Sequence, residues 1–251
     1  MDEDHSDFAA RLYVAAPLGA ASVVPLESDQ VHYLRSVLRL GPGGKLALFN
    51  GRDGEWQATL GALGKHSGMA RCDRQTRPQP EVAELWLLFA PVKRTRIDLI
   101  AEKATELGVT RLVPVLTQRT NVARVNTERL RAIVREAAEQ TERLTLPEVA
   151  EPQKLDLALA EFPADRRLLL CDETGTAPGI ATTLGQAASV LGILIGPEGG
   201  FAPDELDGLR KLPFVTPVGL GPRILRADTA ALSALAVFQA LLGDWESGRP
   251  R

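Results

Sequence analysis

Two short segments near the C-terminus confine this chain to few folds. Ile195-Gly196-Pro197-Glu198-Gly199-Gly200-Phe201 and Gly219-Leu220-Gly221-Pro222-Arg223-Ile224-Leu225-Arg226 each follow an apolar run that reads as a strand, and each precedes a helix start. Glycine and proline at such junctions make tight turns with bare backbone. Open α/β sheets hold their ligands at strand ends of this kind. Strand, glycine turn and helix, repeated in close succession, predict an α/β fold with one small-molecule site built largely from main chain.

The same grammar extends upstream. Residues 85–90 form a continuous apolar run, as in a strand covered on both faces. Ile97, Ile100, Ala101, Ala104 and Leu107 recur at helical spacing, with Gly108 as a stop. Strands are expected at 111–116, 168–171, 190–195 and 214–220, and an amphipathic helix through Leu130, Ile133, Val134, Ala137 and Ala138. Pro203 suits a first helical turn, where Asp204 and Glu205 favour the dipole. Residues 229–242 carry no charge in 14 positions, so that helix needs cover on most sides, from its own domain or from a second copy of the chain.

Before residue 76 the pattern is different. Lys45-Leu46-Ala47-Leu48-Phe49, the turn Asn50-Gly51-Arg52-Asp53-Gly54 and Glu55-Trp56-Gln57-Ala58-Thr59-Leu60 read as a hairpin. A single short helix is expected over 31–40. Arg77-Pro78-Gln79-Pro80 reads as a linker, because two prolines disfavour both helix and sheet interior. The expected organisation is a small β-barrel-like module over 1–76 and an α/β domain with a mainly parallel sheet over 82–251.

Composition excludes several classes. Hydrophobic residues make up 45% of the 251, enough for a sizeable core, yet no apolar stretch approaches the ~20 needed to span a bilayer. The acidic N-terminus lacks the apolar centre of a signal peptide, and Cys72 and Cys171 are too few for a disulfide framework or a cysteine zinc site. A soluble cytoplasmic protein with no metal is expected. Net charge is −3, but with the tail residues Asp2, Glu3 and Asp4 set aside the first 80 residues lean basic and the remainder acidic. That asymmetry fits local phosphate contact.

The candidate chemistry follows from position. No Gly-Lys-Ser/Thr follows the first glycine segment and the dinucleotide spacing is missing, which favours a nucleoside-type cofactor other than ATP or NAD. Arg226 lies between a glycine turn and a helix start expected to be capped by Asp228 and Thr229; it is either a surface charge or a cation facing the site. Glu198 is either a turn carboxylate bonding nearby backbone N–H groups or a proton acceptor. Lys93, Arg94 and Arg96 follow a strand end, as a solvated loop or a phosphate contact. His32, Arg35 and Arg39 share one face of the expected helix at i, i+3 and i+7, and with Arg11 they form either a solvated face or an RNA surface. His5, His32 and His66 all precede the α/β domain, and Ser189 and Ser233 have no base nearby, which disfavours triad hydrolysis.

Five segments in order resemble the ribosomal RNA small-subunit methyltransferase E family, of the SPOUT (α/β-knot) class. They are His32-Tyr33-Leu34-Arg35-Ser36-Val37-Leu38-Arg39, Glu102-Lys103-Ala104-Thr105-Glu106-Leu107-Gly108, Glu136-Ala137-Ala138-Glu139-Gln140 with Arg143 and Pro147, and the two glycine segments. The resemblance implies a trefoil-knotted domain behind a PUA-like module, a homodimer, and S-adenosylmethionine as methyl donor to N3 of a uridine in 16S rRNA within the small ribosomal subunit. It implies donor contacts at Leu170, Ile195, Gly196, Gly199, Leu220, Gly221, Ile224, Leu225 and Thr229, catalytic roles for Arg226 and Glu198, and RNA contacts at Arg11, His32, Arg35, Arg39, Lys93 and Arg94. Two positions depart from the family pattern. Asp228 stands where many members carry Glu, and Glu142 where a small residue is common. A related enzyme for another RNA, a non-catalytic ribosome-assembly protein and an unrelated nucleotide-binding enzyme stay open as alternatives.

Overall fold

The computed structural model describes residues 8–121, 124–185 and 190–245, without the side chains of Arg94 and Leu191. Asp2, Glu3, Asp4, His5 and Ser189 lie outside the described residues. The chain divides into two units, Met1–Val82 with Ala138–Leu146, and Ala83–Ala137 with Pro147–Arg251.

The first unit holds β1 (Ala10–Tyr13), β2 (Val23–Leu26), α1 (Ser28–His32), β3 (Lys45–Phe49), β4 (Glu55–Leu63) and β5 (Gly68–Arg77). The sheet order is β1-β3-β4-β5-β2, with β1 parallel to β3 and the other pairs antiparallel. Alternation sets the faces: Val24 and Leu26 turn inward and join Leu12, Leu46, Leu48 and Leu60 in the core. The β3–β4 hairpin forms as read, from Lys45↔Thr59 to Phe49↔Glu55. Its turn is held by Asn50, whose Oδ1 accepts the N–H groups of Arg52 (3.0 Å) and Asp53 (2.9 Å), with Gly51 at φ +79°.

Two readings in this unit are corrected. Arg77 is the last residue of β5, not linker, because its guanidinium is fixed by the carboxylate of Glu55 at 3.0 Å. The helix expected over 31–40 begins earlier, at Ser28, where Glu27 N–H donates to Gln30 Oε1 at 2.9 Å. It then widens into a π-turn over Tyr33–Val37, with Leu38 N–H bonded to Tyr33 O (3.1 Å), and ends before Arg39, which is left-handed at φ +54°.

The second unit alternates strands and helices: β6 (Trp86–Phe89), α2 (Arg94–Glu106), β7 (Arg111–Leu116), α3 (Thr127–Gln140), β8 (Glu148–Val149), β9 (Gln153–Lys154), α4 (Leu155–Glu161), β10 (Arg167–Cys171), α5 (Ile180–Leu184), β11 (Val190–Ile195), α6 (Pro203–Arg210), β12 (Val215–Val218) and α7 (Ala227–Leu241). The strands are parallel in the order β12-β10-β11-β6-β7-β8, and β9 also pairs with β7. Apolar cores cover both faces, one around Leu87, Phe89, Leu169 and Ile193 and the other around Leu88, Leu168, Leu170 and Leu194. That two-sided burial explains why these strands read as unbroken apolar runs. Chain order and sheet order part company at β11, which lies between β10 and β6; this is the topological switch.

Gly108 stops α2 as read, at φ +82°. α7 packs on α2, α5 and β11, burying Ala230, Ala231, Ala234, Leu235 and Phe238 in the shared core. Buried Gln239 donates its Nε2 to Leu107 O at 2.7 Å and accepts Asp244 N–H at 3.0 Å. Among the described residues of this segment Leu232, Ala236 and Val237 are half-buried, Val237 against the core, and Leu241 and Leu242 are exposed. Among the described residues no helix is long and apolar enough to cross a membrane.

Candidate functional site

Three loops meet at the C-terminal ends of β11, β10 and β12. After β11, Ile195 is buried and Gly196 lies under the ring of Phe201, where an added Cβ would come within 2.8 Å of a ring carbon. Pro197 O accepts Gly200 N–H at 2.9 Å, closing a tight turn with Gly200 at φ +66°. After β12, Gly219 bridges to Gly179: its N–H donates to Pro178 O (2.8 Å) and its carbonyl accepts Ile180 N–H (3.0 Å). Gly221 follows at φ +101° with open space around it. Leu220 and Leu225 pack against the core, whereas Ile224 points outward, 81% exposed.

The glycine segments are not sheet neighbours, because β10 runs between their strands. The loop after β10, residues 172–179, therefore completes the site, and the sequence reading missed it. Its signal was present: Gly175, Pro178 and Gly179 directly after an apolar run. Glu173 of this loop lies against bare Gly200, so close that a Cβ there would overlap its carboxylate. Asp172 is buried and accepts from Arg210 Nη2 (2.5 Å) and from Thr174 N–H (2.8 Å). Burial raises its carboxyl, but those hydrogen bonds together outweigh it and hold the group below its ordinary range. Burial alone pushes the Cys171 thiol up to about 12, so this strand-end cysteine stays protonated.

Charged side chains surround the loops. Arg226 is the N-cap of α7, is exposed, and has no side-chain partner among the described residues. That corrects the expected cap: Asp228 and Thr229 lie inside the first turn, and the Asp228 carboxylate accepts Thr229 N–H (3.0 Å) and Arg96 Nη1 (3.4 Å). Glu198 accepts no backbone N–H among the described residues; it pairs with Arg96 Nε at 3.8 Å. Arg119 donates to Gly199 O at 2.9 Å. Arg96, read from the sequence as a solvated or phosphate-facing cation, instead pairs with carboxylates of the site, and Arg119, which the sequence reading missed, joins it as well. Leu170 turns its side chain into the core opposite and can offer only backbone.

This cradle suits a nucleoside-type group. Gly199 presents bare backbone, where an added Cβ would meet only Arg119 Cδ, at 3.9 Å, and Leu220 and Leu225 supply apolar flanks. A concavity of about 980 Å³ lies elsewhere, between α4 and α6, and no residue of the two glycine segments lines it. No His/Cys/Asp/Glu cluster able to hold a metal ion occurs among the described residues.

The residues expected to face RNA divide. His32, Arg35 and Arg39 are exposed in the first unit, but the π-turn breaks their i, i+3, i+7 register. Arg11 is withdrawn from that surface. Its guanidinium is 12% exposed and paired with buried Glu55, which also takes Arg77 and the Thr76 hydroxyl. Burial lowers the Arg11 pKa against the opposing pull of Glu55. Lys93 is the exposed N-cap of α2 and Arg94 its first residue; the Arg94 side chain lies outside what is described.

Comparison with known proteins gives consistent matches. Residues 78–239 match the family described as RNA methyltransferase domain, and residues 26–68 match RNA methyltransferase PUA domain. A ribosomal RNA small subunit methyltransferase E of Rickettsia conorii is 35% identical over 237 residues, 92% of this chain and 95% of that protein. The structure of such an enzyme from Neisseria gonorrhoeae bound to S-adenosylmethionine is 30% identical, with a TM-score of 0.83 over 94% of this chain and 99% of that one. A Legionella pneumophila protein solved with the same bound cofactor is 29% identical with a TM-score of 0.82, over 92% of this chain and 97% of that one.

Proposed function

Because this chain belongs to the ribosomal RNA small-subunit methyltransferase E family, with its SPOUT α/β-knot domain behind a PUA-like module, we propose that it moves a methyl group from S-adenosylmethionine to N3 of one uridine in 16S rRNA. The product is 3-methyluridine. The observation that carries the reading is the meeting of three strand-end loops beside Arg226, a guanidinium without a partner among the described residues.

The donor, when bound, supplies a methyl carbon already activated by a sulfonium. What this chain's residues supply is placement and charge. Backbone at Ile195, Gly196, Gly199, Leu220 and Gly221, with Leu170, Ile224, Leu225 and Thr229, holds the donor. Fixed placement converts an encounter into a unimolecular step. The uracil N3 must lose its proton before its lone pair is free, and the negative charge then spreads onto the carbonyl oxygens. Arg226 stabilises that charge as a fixed guanidinium. Glu198, exposed and held by Arg96, is the candidate proton acceptor.

The RNA-binding module is assigned to 1–76 and the methyltransferase domain to 82–251. His32, Arg35, Arg39, Lys93 and Arg94 contact phosphates. A second copy of the chain covers the half-buried side of α7, giving a homodimer through the methyltransferase domain. Action on ribosomal RNA places the protein in the cytoplasm. The test is tritiated-methyl transfer from S-adenosylmethionine to deproteinised 16S rRNA and to assembled small subunits, with the product mapped by mass spectrometry. A single 3-methyluridine in 16S rRNA is expected. Label appearing in another RNA, or subunit binding with no transfer, overturns the reading.

A further inference from the structure

Arg96 occupies a costly position. It lies in the first turn of α2, where the helix dipole disfavours a cation, and that turn carries no acidic residue. Its side chain is only 23% exposed. What offsets this is a pair of carboxylates from two other segments. Nη1 lies 3.4 Å from Asp228 Oδ1, in the first turn of α7, and Nε lies 3.8 Å from Glu198 Oε1, in the loop after β11. Different nitrogens of one planar group serve the two carboxylates, which suits guanidinium and not the point charge of lysine. The Asp228 carboxylate is itself aimed by Thr229 N–H, and Asp228 is two residues from Arg226.

We propose that Arg96 is a positioning residue for methyl transfer, bridging Glu198 and Asp228 so that the glycine turn and Arg226 keep a fixed separation. Arg96 joins what the sheet order separates: β11 and β12 are not neighbours, and neither of their loops holds the other directly through these carboxylates. The inference rests on the function proposed above.

The full chain is assayed as wild type, Arg96→Ala, Arg96→Lys, Asp228→Ala and the Arg96→Ala/Asp228→Ala double variant. Donor binding is followed by calorimetry, methyl transfer at saturating donor and subunit, and folding by thermal denaturation. Two partly exposed pairs acting together predict a kcat loss of about tenfold for Arg96→Ala. Asp228→Ala should lose a similar amount and the double variant no more than the larger single loss. Arg96→Lys should recover part of kcat, with Tm held throughout. Wild-type kcat in Arg96→Ala, strictly additive losses, or full recovery by lysine overturns the proposal. Should Arg96→Ala not fold, Arg96→Lys decides by the same criterion: wild-type kcat refutes the bridge. A wild-type chain that neither binds donor nor transfers methyl removes the functional reading and this inference with it, whereas an active wild type with indifferent Arg96 variants removes only the inference.

Discussion

Replacing Gly200 with alanine separates backbone strain from ligand contact at the glycine turn. Gly200 is at φ +66°, where an L-residue pays roughly 1–2 kcal/mol. The added methyl would overlap Glu173 Oε1, but that oxygen ends a flexible, exposed side chain and can swing away. The strain therefore dominates, and it must appear in one of two places. If the turn keeps its shape, stability falls by about 1–2 kcal/mol; if it relaxes, the donor cradle distorts and S-adenosylmethionine affinity falls by roughly 5–30-fold. Gly199→Ala is the internal control. Its backbone is outside the left-handed region and the added methyl would meet only Arg119 Cδ, at an ordinary 3.9 Å, so stability should change by less than ~0.5 kcal/mol. Urea denaturation gives the first quantity and calorimetry the second. A Gly200→Ala chain with both at wild-type values would refute the argument, since the strain would then have no cost anywhere.

Arg226→Ala should still bind S-adenosylmethionine yet lose methyl transfer by about 100-fold or more, as expected for removing a fixed donor to developing charge; full activity would take Arg226 out of the mechanism. Arg35→Ala combined with Arg39→Ala should weaken RNA binding and flatten its salt dependence by about one unit of log–log slope for each phosphate no longer neutralised. An unchanged slope counts against that surface. Asp172 has a folded pKa below the ordinary 3.8, so its contribution is present above that value and is lost as pH falls through the lower one. Asp172→Asn should thus be less stable than wild type by about 1–3 kcal/mol at pH 7, with the gap closing in acid. A pH-independent difference would disprove the assignment.

The strained Glu142 illustrates how a departure from family pattern becomes physical. The resemblance to the family implies a small residue there, and in this chain Glu142 sits at φ +61°, a conformation that glycine adopts freely. Its carbonyl accepts Arg77 Nη2 at 2.8 Å, a contact that needs backbone only. No local sequence rule marks this position; the dihedral is visible only in the structure.

Local rules carried much of the rest. The parallel strands were legible because burial on both faces demands unbroken apolar runs, and the glycine stop after α2 because a left-handed residue is needed there. The β3–β4 turn was legible in Asn50-Gly51 for the same kind of reason. Strand order was not. Nothing in one-dimensional periodicity states that β10 lies between β11 and β12, since that order is set by which faces find cover once the chain doubles back. The third loop, the Arg96 bridge and the withdrawal of Arg11 all depend on it or on comparable long-range pairing. An isolated arginine reads the same on a solvated face, in a buried ion pair or at a site. Only the carboxylates that folding brings beside it decide which it is.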